Sequence, residues 1–442
     1  MFSKKAGSST KIPVECSGKL IAYSIKLNNP VMKKLAKDLL SEITFYKKTD
    51  RNLYTKHMEV VLTNLLRCSG KQPLLYSRDV TAGNTSIKRY NPQQIKVRTL
   101  IKVIDILEDA GLLTNKVGKA SKKKEFRVPS YIQPTDLFLD TFSDIDSLSE
   151  SVEEKLLDKE ETIILRDEYK MLAEYRDSYY TRMARAVVVG LNSINRQFEF
   201  KTGEGELITN HYCRIYNETF DKGGRFYRAG ILQLKNKGTH DRLKVTCNNE
   251  PMVEVDYCNL HILLLTIMEG FQYDPSVDLY NKCIPEGLVT PNTRSLVKTA
   301  TNIMLNAKKE SSARNAIQQV LDGFDKDDLP DQVSKASVVM GWVKSGHPDL
   351  VKYFCSLEST GLSLMKMDSD MASHVIHCFV SDEKPILPIH DSCLVRRSDK
   401  SSLIEAMVEA VKVITGREDI KVPLEATWWD ARLGLQSEKF IK

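Results

Sequence analysis

The sequence predicts a protein of the α+β class, in which helices and antiparallel strands occupy separate runs of the chain. Val253-Glu254-Val255-Asp256 reads as a short buried strand with β-branched residues at every second place, and from Leu260 the apolar residues crowd together as on a buried helix. Downstream, Ile386-Leu387-Pro388-Ile389-His390-Asp391-Ser392-Cys393-Leu394-Val395 reads as two short strands around a turn, with Asp391 at or next to its tip. Other segments show helical spacing and carry their own caps. Each of the two stretches therefore places an aspartate at a strand end. Two such acids brought together would seat paired divalent cations about 3.5–4 Å apart, the arrangement that serves phosphoryl and nucleotidyl transfer. Taken singly, each is an ordinary turn or helix cap.

With 442 residues, 42% hydrophobic and 28% charged, the chain has material for two or three domains. No run approaches the roughly 18 apolar residues that cross a bilayer. Met1-Phe2-Ser3-Lys4-Lys5 lacks the apolar core of a signal peptide, so no membrane is expected and a soluble, cytoplasmic setting is. Nine cysteines without a CxxC pair argue against a disulfide framework and against a zinc site. The formal charge of +6 is mild, but it is segregated along the chain, which suits a polyanionic partner.

Residues 1–30 read as a loose arm or first strand, and two helices are expected between Asn29 and Leu66. Asn91 with Pro92 suits a helix start; Val97, Leu100, Ile101, Ile104 and Leu107 then recur at helical spacing until Gly111 stops the helix. Residues 112–117 and 125–128 read as strands joined by a lysine-rich tip. A helix ending in Glu108-Asp109-Ala110-Gly111-Leu112-Leu113, followed by a hairpin with a basic tip, resembles the winged-helix domain. That resemblance implies phosphate contacts from Lys96, Arg98 and Lys102 on the helix and Lys122 and Lys123 in the wing; the alternative is a small helical domain with a solvated basic loop.

Residues 136–161 are acidic and serine-rich, the expected linker or peripheral helix, and residues 162–195 read as a long helical stretch. Gly223-Gly224-Arg225-Phe226-Tyr227 suggests a backbone bend presenting a cation and flat rings, with Leu232-Gln233 and Arg242 shortly after. An ordinary hairpin explains the same residues. Between the two acids, Thr290 or Thr293 would cap a helix on which Arg294, Lys298, Asn302 and Asn306 fall four apart and make one polar stripe. Such a stripe suits a triphosphate, although an i,i+4 basic pair is usually a solvated face. The tail supplies an amphipathic helix and a final strand.

Four stretches in this order resemble the core of the family A DNA polymerases and the single-subunit RNA polymerases of phages and mitochondria. They are Gly224-Arg225 with Leu232-Gln233 and Arg242, then Asp256-Tyr257-Cys258-Asn259-Leu260-His261, then Arg294 with Lys298, then His390-Asp391-Ser392. The resemblance covers about residues 205–400. It implies a right-hand architecture: a palm built on an antiparallel sheet, helical fingers and thumb, and the winged-helix-like domain in front. The corresponding boundaries are 1–135 for the N-terminal domain, 136–161 for the linker, 162–222 for a helical thumb-like region and 223–442 for palm and fingers.

The resemblance further implies Asp256 and Asp391 as ligands of two Mg²⁺ ions, for which Mn²⁺ can substitute, with the carbonyl of Tyr257 assisting. Lys298 joins these as a catalytic residue. Arg294, Lys298 and Asn302 would hold nucleoside triphosphate, and Tyr257 and His261 would line its sugar. Arg225, Gln233, Arg242 and His390 would hold template or primer. The sequence departs from the family where His261 replaces the ribose-excluding glutamate of the DNA enzymes, and where Asn302 and Asn306 replace Phe or Met and Tyr. A nucleic-acid polymerase, able to use ribonucleotides and to work with an additional protein subunit, is thus expected. A two-metal nuclease, a DNA polymerase of a mobile element or phage, and a non-catalytic nucleic-acid-binding factor on the same scaffold stay open.

Overall fold

The computed structural model describes residues 19–21, 29–41, 43–44, 48–68, 73–78, 87–118, 129–143, 160–236, 238–325, 328–358 and 360–442. The chain is mixed α and β with largely antiparallel sheets. It divides into two compact units, Met1–Glu161 with Met171–Tyr175, and Thr162–Lys170 with Arg176–Lys442. Among the described residues no helix is long and apolar enough to cross a membrane.

In the first unit the elements run β1 (Lys19–Leu20), α1 (Pro30–Leu39), α2 (Lys48–Cys68), β2 (Leu74–Tyr76), α3 (Val97–Asp109), β3 (Leu113–Lys116), β4 (Ser130–Pro134) and α4 (Asp136–Thr141). The sheet order is β1-β2-β4-β3, parallel between β1 and β2 and antiparallel elsewhere. Val103, Ile104 and Leu107 of α3 join Met58, Leu62 and Leu65 of α2 in one core. Asn29 caps α1, its Oδ1 accepting from the N–H groups of Val31 and Met32. The end of α3 is a Schellman turn: Gly111 at φ 72° donates to Glu108 O and Leu112 donates to Leu107 O.

Two expectations are corrected here. The helix starts at Val97, with Lys96 as N-cap, instead of at Asn91-Pro92. Asn91 is buried and closes a loop on Ile95, accepting its N–H (2.8 Å) and donating to its carbonyl (2.9 Å). Second, the start of the expected linker or peripheral helix is the helix α4, and Phe138 and Phe142 put it in the core, because two large rings outweigh the acidic composition around them; residues 144–159 of that stretch lie outside the described residues. The strand Ser130–Pro134 pairs with β3. Residues 119–128, which include Lys122, Lys123 and the expected strand at 125–128, lie outside the described residues.

The second unit contains β5 (Ile163–Arg166), α5 (Tyr179–Asn195), β6 (Phe200–Lys201), β7 (Cys213–Asn217), β8 (Thr219–Tyr227), β9 (Thr246–Cys247), β10 (Glu250–Tyr257), α6 (Leu260–Met268), α7 (Pro291–Asn306), α8 (Glu310–Leu321), α9 (Ala336–Gly346), α10 (Thr360–Ser381), β11 (Leu387–Ile389), β12 (Ser392–Arg396), α11 (Lys400–Thr415), β13 (Pro423–Asp430) and β14 (Gly434–Ile441). The main sheet runs β11-β12-β10-β13-β14, antiparallel throughout, and β9 joins β10 to β6. Its strands alternate: Val253, Val255 and Tyr257 point to one side and Glu254 and Asp256 to the other. Helix α11 packs on β10 and β12, and Tyr257 Oη donates to Met407 O (2.7 Å), so the apolar side is the covered one.

The long helix expected over 162–195 is shorter. Ile163, Ile164 and Leu165 are buried in β5, paired parallel to β7, because a β-branched run with a ready partner strand favours the sheet. The helix starts only where Ser178 and Thr181 form a capping box. The region 162–222 thus carries one long helix and several strands. A second unanticipated element is β14, which folds back on β13 at a turn where Asp430 Oδ1 accepts the N–H groups of Arg432 and Leu433.

The tandem glycines do bend the backbone. Gly223 and Gly224 have φ 75° and 88°, and Gly224 is the extra residue of a bulge, since Gly223 faces Tyr216 while Arg225 faces Ile215. A Cβ on Gly224 would lie 2.7 Å from Tyr216 Cε1 and 2.9 Å from Ser369 Oγ.

Candidate carboxylate site

The polar side of the main sheet carries the candidate site. Asp256 is the penultimate residue of β10, with Ser392 of β12 as its partner on one flank and Glu425 of β13 on the other. Asp391 immediately precedes Ser392, in the two-residue tip His390-Asp391 that joins β11 to β12, where His390 takes φ 59°. Two acids far apart in the chain are thereby next to each other on one face. Asp256 Oδ1 is buried without a hydrogen-bond partner. Burial lifts the Asp256 carboxyl well above the usual carboxylate range; the negative charge of Asp391 and then of Glu254 adds to this, and Lys298 opposes it. A buried, unpartnered oxygen beside a second acid could hold a cation, which would supply the missing partner.

Glu254, one pleat before Asp256, is in the opposite condition. Its Oε1 accepts from Ser392 Oγ (2.6 Å) and Arg242 Nη2 (2.9 Å), and Oε2 accepts from Arg242 Nε (3.1 Å). Across the site, Asp368 on α10 has a side chain with no exposed surface. It accepts from Arg225 Nε, 3.1 Å from both oxygens, from Arg225 Nη2, and from His261 Nε2 at 2.9 Å. That last bond fixes the His261 proton on Nε2. Asp391 acts electrostatically on Arg225, and the burial of His390 together with the Arg225 charge depresses its pKa below the imidazole norm. His390 Nδ1 is buried without a partner, and its ring meets Tyr227 edge-on at 6.0 Å.

Helix α7 begins as anticipated, with Thr290 as N-cap in a reciprocal pair with Thr293. On its stripe, Arg294 donates to Asp278 from Nε (2.8 Å) and Nη2 (2.6 Å) and lies over the Tyr280 ring. Lys298 is exposed, and its charge acts on Asp256. Asn302 is half-buried, its carbonyl accepting from Asn306 Nδ2 (2.8 Å). Tyr280 is buried and feels the charges of Asp391 and Asp256.

Several assignments change. The Tyr257 side chain cannot line a sugar: strand alternation puts it on the covered side, leaving only its carbonyl at the lip. Arg225 and Arg242 are occupied by Asp368 and Glu254 instead of projecting toward a phosphodiester backbone, and Arg294 is held by Asp278. Gln233 is exposed in the short turn Gly230–Gln233. In the first unit, Lys96, Arg98 and Lys102 are exposed, but Asp105 and Asp109 continue the same stripe of α3, so its charge changes sign along the helix.

Asp368, Glu425 and Asp278 were not identified from the sequence. Asp368 had one legible signal, an acid inside the helical apolar pattern of Leu364, Met371 and Val375. Among the described residues no three His, Cys, Asp or Glu side chains converge as a complete metal shell. Comparison of the sequence with protein-family models and with curated proteins finds no match.

Proposed function

We propose that the second unit is a nucleotidyltransferase that adds nucleotides to a 3′-hydroxyl, template-directed and able to use ribonucleotides, and that the first unit docks nucleic acid. The observation that carries the reading is the unpartnered, buried Asp256 Oδ1 beside Asp391 on the polar face of a helix-backed antiparallel sheet. In this reading that sheet is the palm of a family A or single-subunit RNA polymerase, and α7 is its fingers helix. The order β2-β4-β3, with α3 directly before the hairpin, supports a winged-helix reading of the first unit.

Asp256 and Asp391 would hold two Mg²⁺ ions, with Mn²⁺ able to replace them, and the Tyr257 carbonyl lies at the same lip. Bound there, the ions would lower the pKa of the attacking hydroxyl and neutralise charge on the leaving oxygen. Lys298 would steer and neutralise the β- and γ-phosphates. Arg294 would join it by exchanging Asp278 for phosphate, which keeps the guanidinium parked and oriented until a nucleotide arrives. His261, its Nε2 engaged with Asp368, would stand by the nucleotide sugar as an imidazole where the DNA enzymes place a carboxylate.

Purified protein with labelled NTPs or dNTPs, Mg²⁺ or Mn²⁺, and template and primer present or omitted, is the test. Asp256→Ala and Asp391→Ala should abolish incorporation and leave nucleic-acid binding intact. Extension at the parental rate by either variant would refute the assignment, and tight binding without turnover in the parent would favour a non-catalytic factor.

A further inference from the structure

Glu254 and Asp256 share the polar face but differ in how their oxygens are engaged. Glu254 is 8% exposed and has both oxygens engaged, whereas Asp256 Oδ1 has no partner. The donors that occupy Glu254 come from two other elements. Ser392 follows Asp391 directly, is 4% exposed, and its Oγ also lies 3.1 Å from Ile389 O, so the hydroxyl spans both ends of the two-residue tip. Arg242 stands on the turn Asp241–Lys244, which packs against β10 and β13.

We infer that Arg242, Glu254 and Ser392 form a clasp that holds Asp391 in register with Asp256 and keeps Glu254 out of the cation seat. The inference rests on the cation-seat reading above. Glu254 ties the base of the hairpin tip to the strand that carries Asp256, adding a short hydroxyl–carboxylate bond to the β10–β12 ladder that sets the spacing of the two acids. Arg242 satisfies and neutralises Glu254, which leaves a two-acid seat instead of a three-acid one. All three are positioning residues. Groups that orient metal ligands in this way typically change cation affinity by about 10–100-fold when removed.

The full-length chain is titrated with MnCl₂, bound Mn²⁺ is read by electron paramagnetic resonance of the free ion, and thermal unfolding is followed in parallel in EDTA. Ser392→Ala should raise the Mn²⁺ concentration for half-saturation about 10-fold, lower turnover, and leave the nucleotide KM unchanged; Ser392→Thr, which keeps the hydroxyl, should stay within about threefold of the parent. Arg242→Gln should shift half-saturation the other way, to tighter binding, while turnover falls, because Glu254 is released to the seat. Loss of thermal stability in both variants with parental Mn²⁺ half-saturation would reduce the network to a structural ion pair and overturn the clasp. Absence of Mn²⁺ binding to the parent and to Asp256→Asn alike would refute the seat itself, and the clasp with it.

Discussion

Asp368→Asn tests the buried Asp368–Arg225 pair of the second unit. The carboxylate has no exposed surface, and the Arg225 side chain it holds is 14% exposed. Asparagine keeps the shape and one acceptor but removes the charge, so a guanidinium is left largely buried without its counter-ion. Breaking such a pair from one side costs about 3–5 kcal/mol, and the remaining acceptor puts the expected loss near the lower figure. At about 2–4 °C per kcal/mol for a unit of this size, the melting temperature should fall by about 6–12 °C. The assay is thermal and urea unfolding of the parent, Asp368→Asn, Arg225→Met and the double variant Arg225→Met/Asp368→Leu. The double variant should recover most of the loss, since replacing both partners by apolar groups of similar volume is close to neutral. A single variant within about 1 kcal/mol of the parent, or a double variant as unstable as the two singles summed, would refute the reasoning.

Asp256→Asn should stabilise the cation-free protein at neutral pH, because it removes a buried negative charge beside Asp391 and Glu254. It should also remove any stabilisation by Mg²⁺. Because the Asp256 carboxyl is raised, parental stability in EDTA should fall as pH rises above the ordinary carboxylate range, and the asparagine variant should lack that fall. In the first unit, buried His57 turns Nδ1 toward Leu53 O (2.7 Å) and accepts the Lys96 N–H on Nε2 (2.7 Å), and burial holds its pKa down to about 4. The unfolded chain therefore binds the proton first on acidification. Stability present above pH 6.5 should be lost as pH falls toward about 4, by about 3 kcal/mol, and His57→Gln should flatten that slope in urea melts. Gly224→Ala, with φ 88° and a Cβ against Tyr216 and Ser369, should cost about 2–4 kcal/mol by the same melts. Lys298→Ala should raise the nucleotide KM without altering the melting temperature.

The aspartates at a strand end and a hairpin tip, the capped helix at Thr290 and the glycine-terminated helix ending near Gly111 were all legible, because periodicity, caps and turn chemistry act over a few residues. The side taken by Tyr257 was legible too: it alternates with Val253 and Val255, and a period of two puts it on their face. What the sequence could not disclose was the employment of its cations. Arg242, Arg294 and Arg225 are held by acids 12, 16 and 143 residues away, so each looks free to grip a phosphate until the chain is folded. The sequence by itself determined that two acids would stand at the ends of buried strands, through local hydrophobic pattern. Only the tertiary structure decided that these acids adjoin, that one oxygen stays empty, and that three arginines are already occupied, because charge pairing follows distance in space and carries no period along the chain.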